Sequence, residues 1–286
     1  MTEPLPALVS TEWLAARLDR PGLVVVDCSW YLPGSGRDPA AEHRAGHIPG
    51  AVFFDLDASS DPGSALPHML PSPAALAERM SALGLGDDDD VVVYDGSGAN
   101  MTAPRVWWML RMIGHERGAV LDGGIQKWQR EGLPLEAGAV RRPRGRFTVR
   151  EGQGGVRNAA GVHDALRQGA AQVVDMRSAA RFAGTEPEPR PGLRGGHIPG
   201  SRSIPFQELV AADGTLLPPE LLRRRIEAAG VDLDRPLIAT CGSGVSACAL
   251  IHALHLLGRE NAALYDGAWT EWGGRGDLPV ETGEAR

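Results

Sequence analysis

The stretch with the clearest chemical potential is residues 240–247, Thr-Cys-Gly-Ser-Gly-Val-Ser-Ala. It follows an apolar run at residues 237–239 that is typical of a buried strand, and it precedes residues 248–254, whose apolar spacing is helical. Cys241 is therefore expected in a strand-to-helix turn. Its two glycines let successive backbone N–H groups point inward at the positive end of the helix dipole. Such a nest favours the thiolate, which is the nucleophilic form of cysteine.

A structural alternative exists for the same turn, because free cysteine is usually a small buried hydrophobe. The turn contains no Arg or Lys, so backbone donors alone would have to stabilise a negative charge on sulfur. The three cysteines, Cys28, Cys241 and Cys248, form an odd set without metal-ligand spacing. Cys241 and Cys248 would stand roughly 10 Å apart along a helix, too far for a disulfide. We therefore expect free thiols in a reducing compartment.

The bulk composition describes a globular chain of 286 residues, long enough for two domains. With 29 basic and 36 acidic residues the net charge is -7, which argues against nucleic acid or an anionic membrane as partner. Residues 1–6 lack the basic and apolar regions of a signal peptide, and no apolar run approaches membrane-spanning length. The predicted location is the cytoplasm.

The chain repeats itself once, with four landmarks in the same order in each half. In the first half they are residues 23–27, 46–51, 91–98 and 121–128, and in the second half they are residues 173–175, 196–201, 238–244 and 265–272. Each half alternates short β-branched runs with amphipathic helical patterns. The predicted fold class is α/β, with two tandem domains that each contain a mostly parallel sheet flanked by helices. We place the first domain at residues 1–140, a linker at 141–155, and the second domain at 156–286.

The two copies differ at the position of the thiol. Asp95 occupies the place of Cys241, so only the second domain can perform thiol chemistry. The repeated His-Ile-Pro-Gly turns, with His47 and His197, are interpreted as structural. The acidic run at residues 87–90 is interpreted as a solvated helix-to-strand loop rather than a metal site. Trp30 follows a strand end and is a candidate for the wall of a pocket.

Taken together, these motifs resemble those of the tandem rhodanese sulfurtransferases, over nearly the whole chain. The resemblance rests on two His-Ile-Pro-Gly turns, on Asp-Gly-Gly or Asp-Gly-Ala followed by Trp, and on one Cys-x-x-Gly-Val-x-Ala loop. The neutral loop is most similar to that of the family members that use 3-mercaptopyruvate. The thiosulfate-preferring members carry Arg and Lys directly after the cysteine. The resemblance implies that Gly242, Gly244, Val245 and Ser246 contact substrate, although Ser246 stands where the family usually has Thr.

Residues 181–192 resemble the substrate segment of the same family members, which implies that Arg181 and Arg190 hold the substrate. An α-keto carboxylate suits forked, permanently charged donors on a proline-stiffened loop. The alternative is an exposed loop in which both arginines pair with Glu186 and Glu188. The resemblance also implies a relay of Ser243, His68 and Asp57. Expelling pyruvate as an enolate requires a proton carrier, for which His is suited near neutral pH.

The resemblance therefore predicts a sulfurtransferase that moves sulfane sulfur from 3-mercaptopyruvate through a Cys241 persulfide, with release of pyruvate. It also implies that neither a metal nor an organic cofactor is needed. The acceptor would be cyanide, a small thiol or thioredoxin. A thiosulfate sulfurtransferase is the principal alternative. A phosphatase on the same fold would need a larger loop that ends in Arg, and a non-catalytic binding module would be expected to have lost its cysteine.

Overall fold

The computed structural model describes residues 5–284 of the chain. These residues divide into two compact units. Unit 1 comprises residues 5–62, 70–153 and 211–216, and unit 2 comprises residues 63–69, 154–210 and 217–284. The sequence alone instead predicts residues 63–69 in the first domain, residues 211–216 in the second and residues 141–155 in a linker.

Unit 1 contains a parallel sheet of five strands: β1 (Leu8–Val9), β2 (Leu23–Asp27), β3 (Val52–Phe53), β4 (Asp90–Tyr94) and β5 (Gly118–Leu121). Their order is β1-β5-β4-β2-β3, and all neighbours are parallel. The helices are α1 (Thr11–Ala15), α2 (Pro39–Ala45), α3 (Pro73–Ala82), α4 (Ala103–Met112) and α5 (Gly124–Arg130). Every residue of β2 and β4 is buried, as expected for central strands covered on both faces.

Unit 2 repeats this arrangement with β6 (Val156–Arg157), β7 (Gln172–Asp175), β8 (Arg202–Ser203), β9 (Leu237–Thr240) and β10 (Ala262–Tyr265). The order β6-β10-β9-β7-β8 corresponds strand by strand to that of unit 1. Its helices are α6 (Ala159–Gln168), α7 (Ala179–Ala183), α8 (Pro219–Ala228), α9 (Ala247–Leu256) and α10 (Ala268–Trp272), with a 3₁₀ helix at Phe206–Leu209. The predicted α/β fold with two repeated parallel sheets is confirmed.

The His-Ile-Pro-Gly turns have a structural role in both units. His47 and His197 are buried, and their Nδ1 atoms lie 2.7 Å from the His43 carbonyl and 2.9 Å from the Phe182 carbonyl. Each histidine also pairs through its backbone with a glutamate of a later segment, Glu136 or Glu281. These bonds join the turn after a helix to the segment that follows the last helix of the same unit.

Residues 141–153 pack along unit 1 as an irregular segment without a strand. The N–H of Gly145 donates to the Ser81 carbonyl (2.9 Å), and the N–H of Arg150 donates to the Ile113 carbonyl (3.0 Å). Phe147 is buried. Because these bonds satisfy the ends of α3 and α4, the segment forms part of the compact unit, although its Gly- and Pro-rich composition is typical of a linker.

The acidic run at residues 87–90 is only partly the solvated loop that the sequence suggested. Asp90 begins β4, is buried, and pairs with the guanidinium groups of Arg20 (2.5 Å) and Arg117 (2.6 Å). Asp87 accepts bonds from the backbone and hydroxyl of Thr148. Across residues 5–284, His, Cys, Asp and Glu nowhere form a group of three or more that could hold a metal ion. The same residues contain no helix long and apolar enough to cross a membrane.

Candidate active site

The thiol loop lies where the sequence predicts it, between the end of β9 at Thr240 and the start of α9 at Ala247. In a parallel sheet this is the carboxyl edge, where ligands of open α/β sheets bind. Gly244 has a φ of 76°, a left-handed conformation that glycine adopts without strain. Cys241 is free and 2% exposed. The position of Cys241 is therefore fixed by β9, which precedes the loop, and by α9, which follows it.

The carbonyl groups of the loop point toward the start of α10, which fixes their orientation. The Cys241 carbonyl accepts the N–H of Trp269 (2.9 Å). The Gly242 carbonyl accepts both the N–H (3.0 Å) and the hydroxyl (2.6 Å) of Thr270. Thr270 was not identified from the sequence. Because both carbonyls accept hydrogen bonds, the orientation of the peptide units that follow Cys241 and Gly242 is fixed.

In unit 1, the loop that begins at Asp95 corresponds to the Cys241 loop, and its N–H groups bind a carboxylate. One oxygen of the Asp95 carboxylate, Oδ2, accepts the N–H groups of Thr102 (2.7 Å) and Ala103 (2.8 Å), which begin α4. The other oxygen, Oδ1, accepts the N–H and hydroxyl of Ser97. The helix-terminal N–H groups are thus occupied by a buried anion from the same loop, in accord with the anion preference of helix N-termini.

The corresponding N–H groups of unit 2 belong to Ser246 and Ala247, because Ala103 and Ala247 are the first residues of their helices. Neither N–H finds a hydrogen-bond acceptor in the part of the chain that the structure describes. With Cys241 in place of Asp95, the unit 2 loop contains no carboxylate of its own. The loop therefore offers its N–H groups to negative charge on the cysteine sulfur or on a bound group.

Of the predicted relay, the structure brings Ser243 and His68 together within unit 2. The distance between Ser243 Oγ and His68 Nδ1 is 2.8 Å, and both side chains are buried. Asp57 and Trp30 lie in unit 1, where the Trp30 indole donates to Asp57 Oδ2 (3.1 Å). The sequence placed Trp30 in a pocket wall by its loop position alone, and its bond to Asp57 was not foreseen.

Arg181 lies beside the thiol loop, which the sequence did not reveal. A Cβ atom built on Gly242 would lie 3.0 Å from Arg181 Nη2. Backbone donors are therefore not the only positive groups at the loop, contrary to the sequence-based expectation, because a guanidinium of α7 stands against it. Arg181 is also paired with Glu188: Nη2 lies 2.5 Å from Oε2, and Nε lies 3.2 Å from both carboxylate oxygens. The ion pair with Glu188, considered as an alternative, is thus present for Arg181.

Glu188 is held in turn by Arg177, a residue that sequence reasoning missed. Arg177 Nη1 donates to Glu188 Oε1 (2.6 Å), and its Nε and Nη2 bond to Asp175 at the end of β7. The Arg177 guanidinium also lies 4.2 Å from the ring centre of Trp269. The signal that could have found it is Asp175-x-Arg177 directly after a strand. Buried ion pairs of this kind fix the position of Arg181 through Glu188.

Arg190 and Glu186 belong to the same loop as Glu188. Arg190 is partly exposed, and Glu186 accepts a hydrogen bond from the Ser178 hydroxyl (3.1 Å). Of the pairings considered between these arginines and glutamates, the structure therefore contains the one between Arg181 and Glu188.

The fold and the loop define a class of protein, and comparison with known sequences identifies it. The sequence profile of the rhodanese-like domain matches residues 10–131 and 158–275, one copy in each half of the chain. The chain belongs to the rhodanese family, whose tandem members are sulfurtransferases that act on small sulfur donors.

Individual relatives include both donor classes. The chain is 46% identical to 3-mercaptopyruvate sulfurtransferase of Escherichia coli K12 over 274 residues, which cover 96% of this chain and 97% of that protein. It is 43% identical to thiosulfate sulfurtransferase of Bos taurus, over 96% of this chain and 94% of that protein. Among solved structures, it resembles SseA from Escherichia coli, a 3-mercaptopyruvate sulfotransferase, with a TM-score of 0.84 and 43% identity over 92% of this chain and 98% of that chain.

Proposed function

We propose that this chain transfers sulfane sulfur from 3-mercaptopyruvate to a thiophilic acceptor through a persulfide on Cys241. The observation that carries the proposal is the amide nest of the Cys241 loop, whose helix-terminal N–H groups lack an acceptor while those of unit 1 hold the Asp95 carboxylate. The anion bound by the internal copy of the loop supports an anion-binding role for the Cys241 loop. The similarity to the Escherichia coli 3-mercaptopyruvate sulfurtransferase supports the choice of donor.

In the first half-reaction, the Cys241 thiolate attacks the sulfur of the donor. A sulfur–sulfur bond forms and the carbon–sulfur bond of the donor breaks. The electron pair of the broken bond leaves with the carbon as the enolate of pyruvate, which takes up one proton to give pyruvate. Cys241 keeps the transferred sulfur as a persulfide. The loop N–H groups stabilise negative charge on the terminal sulfur without reorganisation, as in an oxyanion hole.

The proton required by the enolate gives a role to Ser243 and His68. The 2.8 Å distance between Ser243 Oγ and His68 Nδ1 lets a proton pass between a histidine and a hydroxyl in the loop that bears the nucleophile. The part of Asp57 in this relay rests on the family resemblance and is tested by Asp57→Asn, which removes the charge and keeps the shape.

Substrate orientation is assigned to Arg181 and Arg190, together with Gly242, Gly244, Val245, Ser246 and Trp30. For Arg181, Glu188 engages Nε and Nη2, while Nη1 has no partner among residues 5–284. A donor carboxylate can therefore bind Nη1 without breaking the ion pair with Glu188. The buried Arg177–Glu188 pair keeps this side chain in place, so little side-chain entropy is lost on binding.

Thiosulfate is retained as a second candidate donor for a specific reason. The loop sequence itself is neutral, which disfavours thiosulfate, yet the Arg181 guanidinium stands beside Gly242 and supplies a cation there. The bovine thiosulfate sulfurtransferase is also similar over most of the chain. Glu188 offsets the charge of Arg181, so the net positive charge beside the attacked sulfur is small. This favours 3-mercaptopyruvate, whose carboxylate lies further from the attacked sulfur than the charge of thiosulfate does.

The deciding experiment compares kcat/KM for the two donors under one acceptor, in wild type and in Arg190→Lys. We expect wild type to prefer 3-mercaptopyruvate. Arg190→Lys keeps the charge but loses the fork, so it should weaken use of 3-mercaptopyruvate by about 1.5–3 kcal/mol and affect thiosulfate less. A wild-type preference for thiosulfate, or an equal effect on both donors, would replace this assignment by the thiosulfate alternative.

For the second half-reaction we propose cyanide, a small thiol or thioredoxin as the acceptor, since each can attack the outer sulfur and release the Cys241 thiolate. We also propose the cytoplasm as the site of action, because all three cysteines are free and the nucleophile must stay reduced. Single-turnover transfer from persulfide-loaded protein to reduced thioredoxin, with dithiothreitol as the comparison, tests the acceptor.

A further inference from the structure

Unit 1 contains a cavity that none of the proposed catalytic or substrate residues lines. Its volume is about 460 Å³, within the range of small-molecule sites. The walls are α2, the edge strand β3, the end of α3 and residues 139–142. We call it the arginine cavity, because Arg44, Arg141 and Arg142 all line it.

The charge of the arginine cavity is unbalanced. Three arginine residues line it and no Asp or Glu does. Within residues 5–284, Arg44, Arg141 and Arg142 form no ion pair, and the buried Nε of Arg142 lacks a hydrogen-bond partner. A buried donor without a partner is unfavourable. A bound anion would supply the missing acceptor for Arg142 Nε and would balance the charge of the three arginines.

The remainder of the lining is apolar and partly aromatic. The rings of His43 and Phe53 contact each other with centroids 5.4 Å apart, and both line the cavity. The aliphatic side chains of Val52, Leu83 and Val140 complete the wall. A bare inorganic ion would leave this apolar surface uncovered. The lining fits a ligand with a charged group at one end and an apolar body at the other.

The wall formed by residues 139–142 is anchored at both ends, so the cavity is preformed. The N–H of Gly138 donates to the Arg44 carbonyl (2.9 Å) at the end of α2, and the N–H of Gly145 donates to the Ser81 carbonyl (2.9 Å) in α3. Between these anchors, a Cβ atom built on Gly84 would lie 2.4 Å from the Arg142 Cβ. The Cβ of Arg142 therefore packs closely against Gly84, at the end of α3.

We propose that the arginine cavity is a binding site for a small organic anion in which a doubly charged group, such as a phosphate, is attached to a flat apolar body. The arginines provide forked donors for the charged end. His43 and Phe53 provide the surface for the apolar end. The site is separate from the proposed sulfur transfer, and its existence does not depend on the identity of the sulfur donor.

The test uses 1-naphthyl phosphate as the probe and titration calorimetry of the full chain. We expect one molar equivalent to bind, and 1-naphthol, which lacks the charge, to bind much more weakly. Arg44→Gln with Arg142→Gln should weaken binding on the order of 10²-fold, from the loss of two charge-assisted contacts. The matched control is Arg146→Gln, an exposed residue of the same segment that does not line the cavity, and it should bind the probe as wild type does.

Two further measurements separate this site from the thiol loop. Pyruvate should leave probe binding unchanged, and sulfur transfer from 3-mercaptopyruvate should be the same in every variant. If the double variant unfolds, the single variant Arg141→Gln, at an exposed side chain, replaces it with an expected loss of about tenfold. The proposal is overturned if the probe fails to bind at millimolar concentration, if pyruvate displaces it, or if the folded cavity variants bind it as tightly as Arg146→Gln does.

Discussion

Ser243 Oγ lies 2.8 Å from Nδ1 of His68, a histidine whose backbone has a left-handed φ of 60°. This conformation costs a non-glycine residue roughly 1–2 kcal/mol. Such strain persists only where the surroundings determine it, and it concentrates at functional sites. The backbone of His68 therefore supports the proposal that its ring is held in position for proton transfer.

The first prediction concerns this histidine. Asn tolerates the left-handed region, so His68→Asn removes the imidazole with little additional backbone strain. We expect kcat for pyruvate release to fall by about 10²- to 10⁴-fold, the usual contribution of general acid–base catalysis, and donor binding to weaken far less. Ser243→Ala and the double variant complete a cycle, in which the two effects should be far from additive. Simple addition of the two losses would argue against a shared relay.

The second prediction assigns the nucleophile. After exposure to 3-mercaptopyruvate, mass spectrometry should find one added sulfur, on Cys241. Cys241→Ser should abolish turnover, while Cys28→Ser and Cys248→Ser should retain most of it. Sulfur on Cys248 would remove the assignment.

Alkylation provides a third test. Burial, with Asp95 and Asp27 nearby, raises the pKa of the Cys28 thiol well above its usual value. Because the pKa is raised, Cys28 remains a protonated thiol at pH 8, and the thiol is not the reactive form. We expect iodoacetamide at pH 8 to modify Cys241 in the native protein and to leave Cys28 intact. Unfolding in urea should expose Cys28 to the same reagent, which serves as the control.

A fourth prediction uses the contact between Gly242 and Arg181. In Gly242→Ala the new Cβ would lie 3.0 Å from Arg181 Nη2, so the guanidinium must shift by a few tenths of an ångström. We expect kcat/KM for 3-mercaptopyruvate to fall about tenfold, because a small misplacement of a positioning group is costly. Gly276→Ala, where a Cβ meets nothing within 4 Å, should behave as wild type. Equal activity of the two variants would show that Arg181 does not orient the donor.

The fifth prediction compares two glycines with nearly the same backbone conformation. Gly34 and Gly84 have φ of 82° and 84°, so Ala at either position carries a similar strain of about 1 kcal/mol. Only at Gly84 does the Cβ collide, at 2.4 Å from the Arg142 Cβ and 2.9 Å from the Pro143 carbonyl oxygen. Gly84→Ala should therefore lower the free energy of unfolding in urea by about 1–3 kcal/mol more than Gly34→Ala does. Equal losses would mean that residues 142–143 are not packed tightly against α3.

Several features of the site could be predicted from residue order alone. Local patterns predict the strand before Cys241 and the helix after it. The internal repeat shows in addition that Asp95 occupies the position of Cys241 in the first half of the chain. Arg177 and Glu188 were missed as positioning residues because their significance depends on ion pairs across α7 and the loop that follows it. The placement of Arg181 beside Gly242 likewise depends on the docking of α7, which no periodicity reveals.

The unpaired N–H groups of Ser246 and Ala247 have a consequence for how often the Cys241 loop opens locally. In unit 1 the carboxylate of Asp95 accepts the helix-terminal N–H groups, whereas under the proposed mechanism the nest of unit 2 holds the outer sulfur of a persulfide only while sulfur is bound to Cys241. A group that binds the native state alone stabilises it, and local opening becomes rarer. We therefore expect amide hydrogen exchange at residues 242–247 to slow when the persulfide forms and to return to its former rate when the sulfur is passed on. Amide exchange in the loop around Asp95 should stay slow throughout the cycle. That loop is therefore an internal reference, against which the exchange rate of the Cys241 loop should fall and rise once in each turnover.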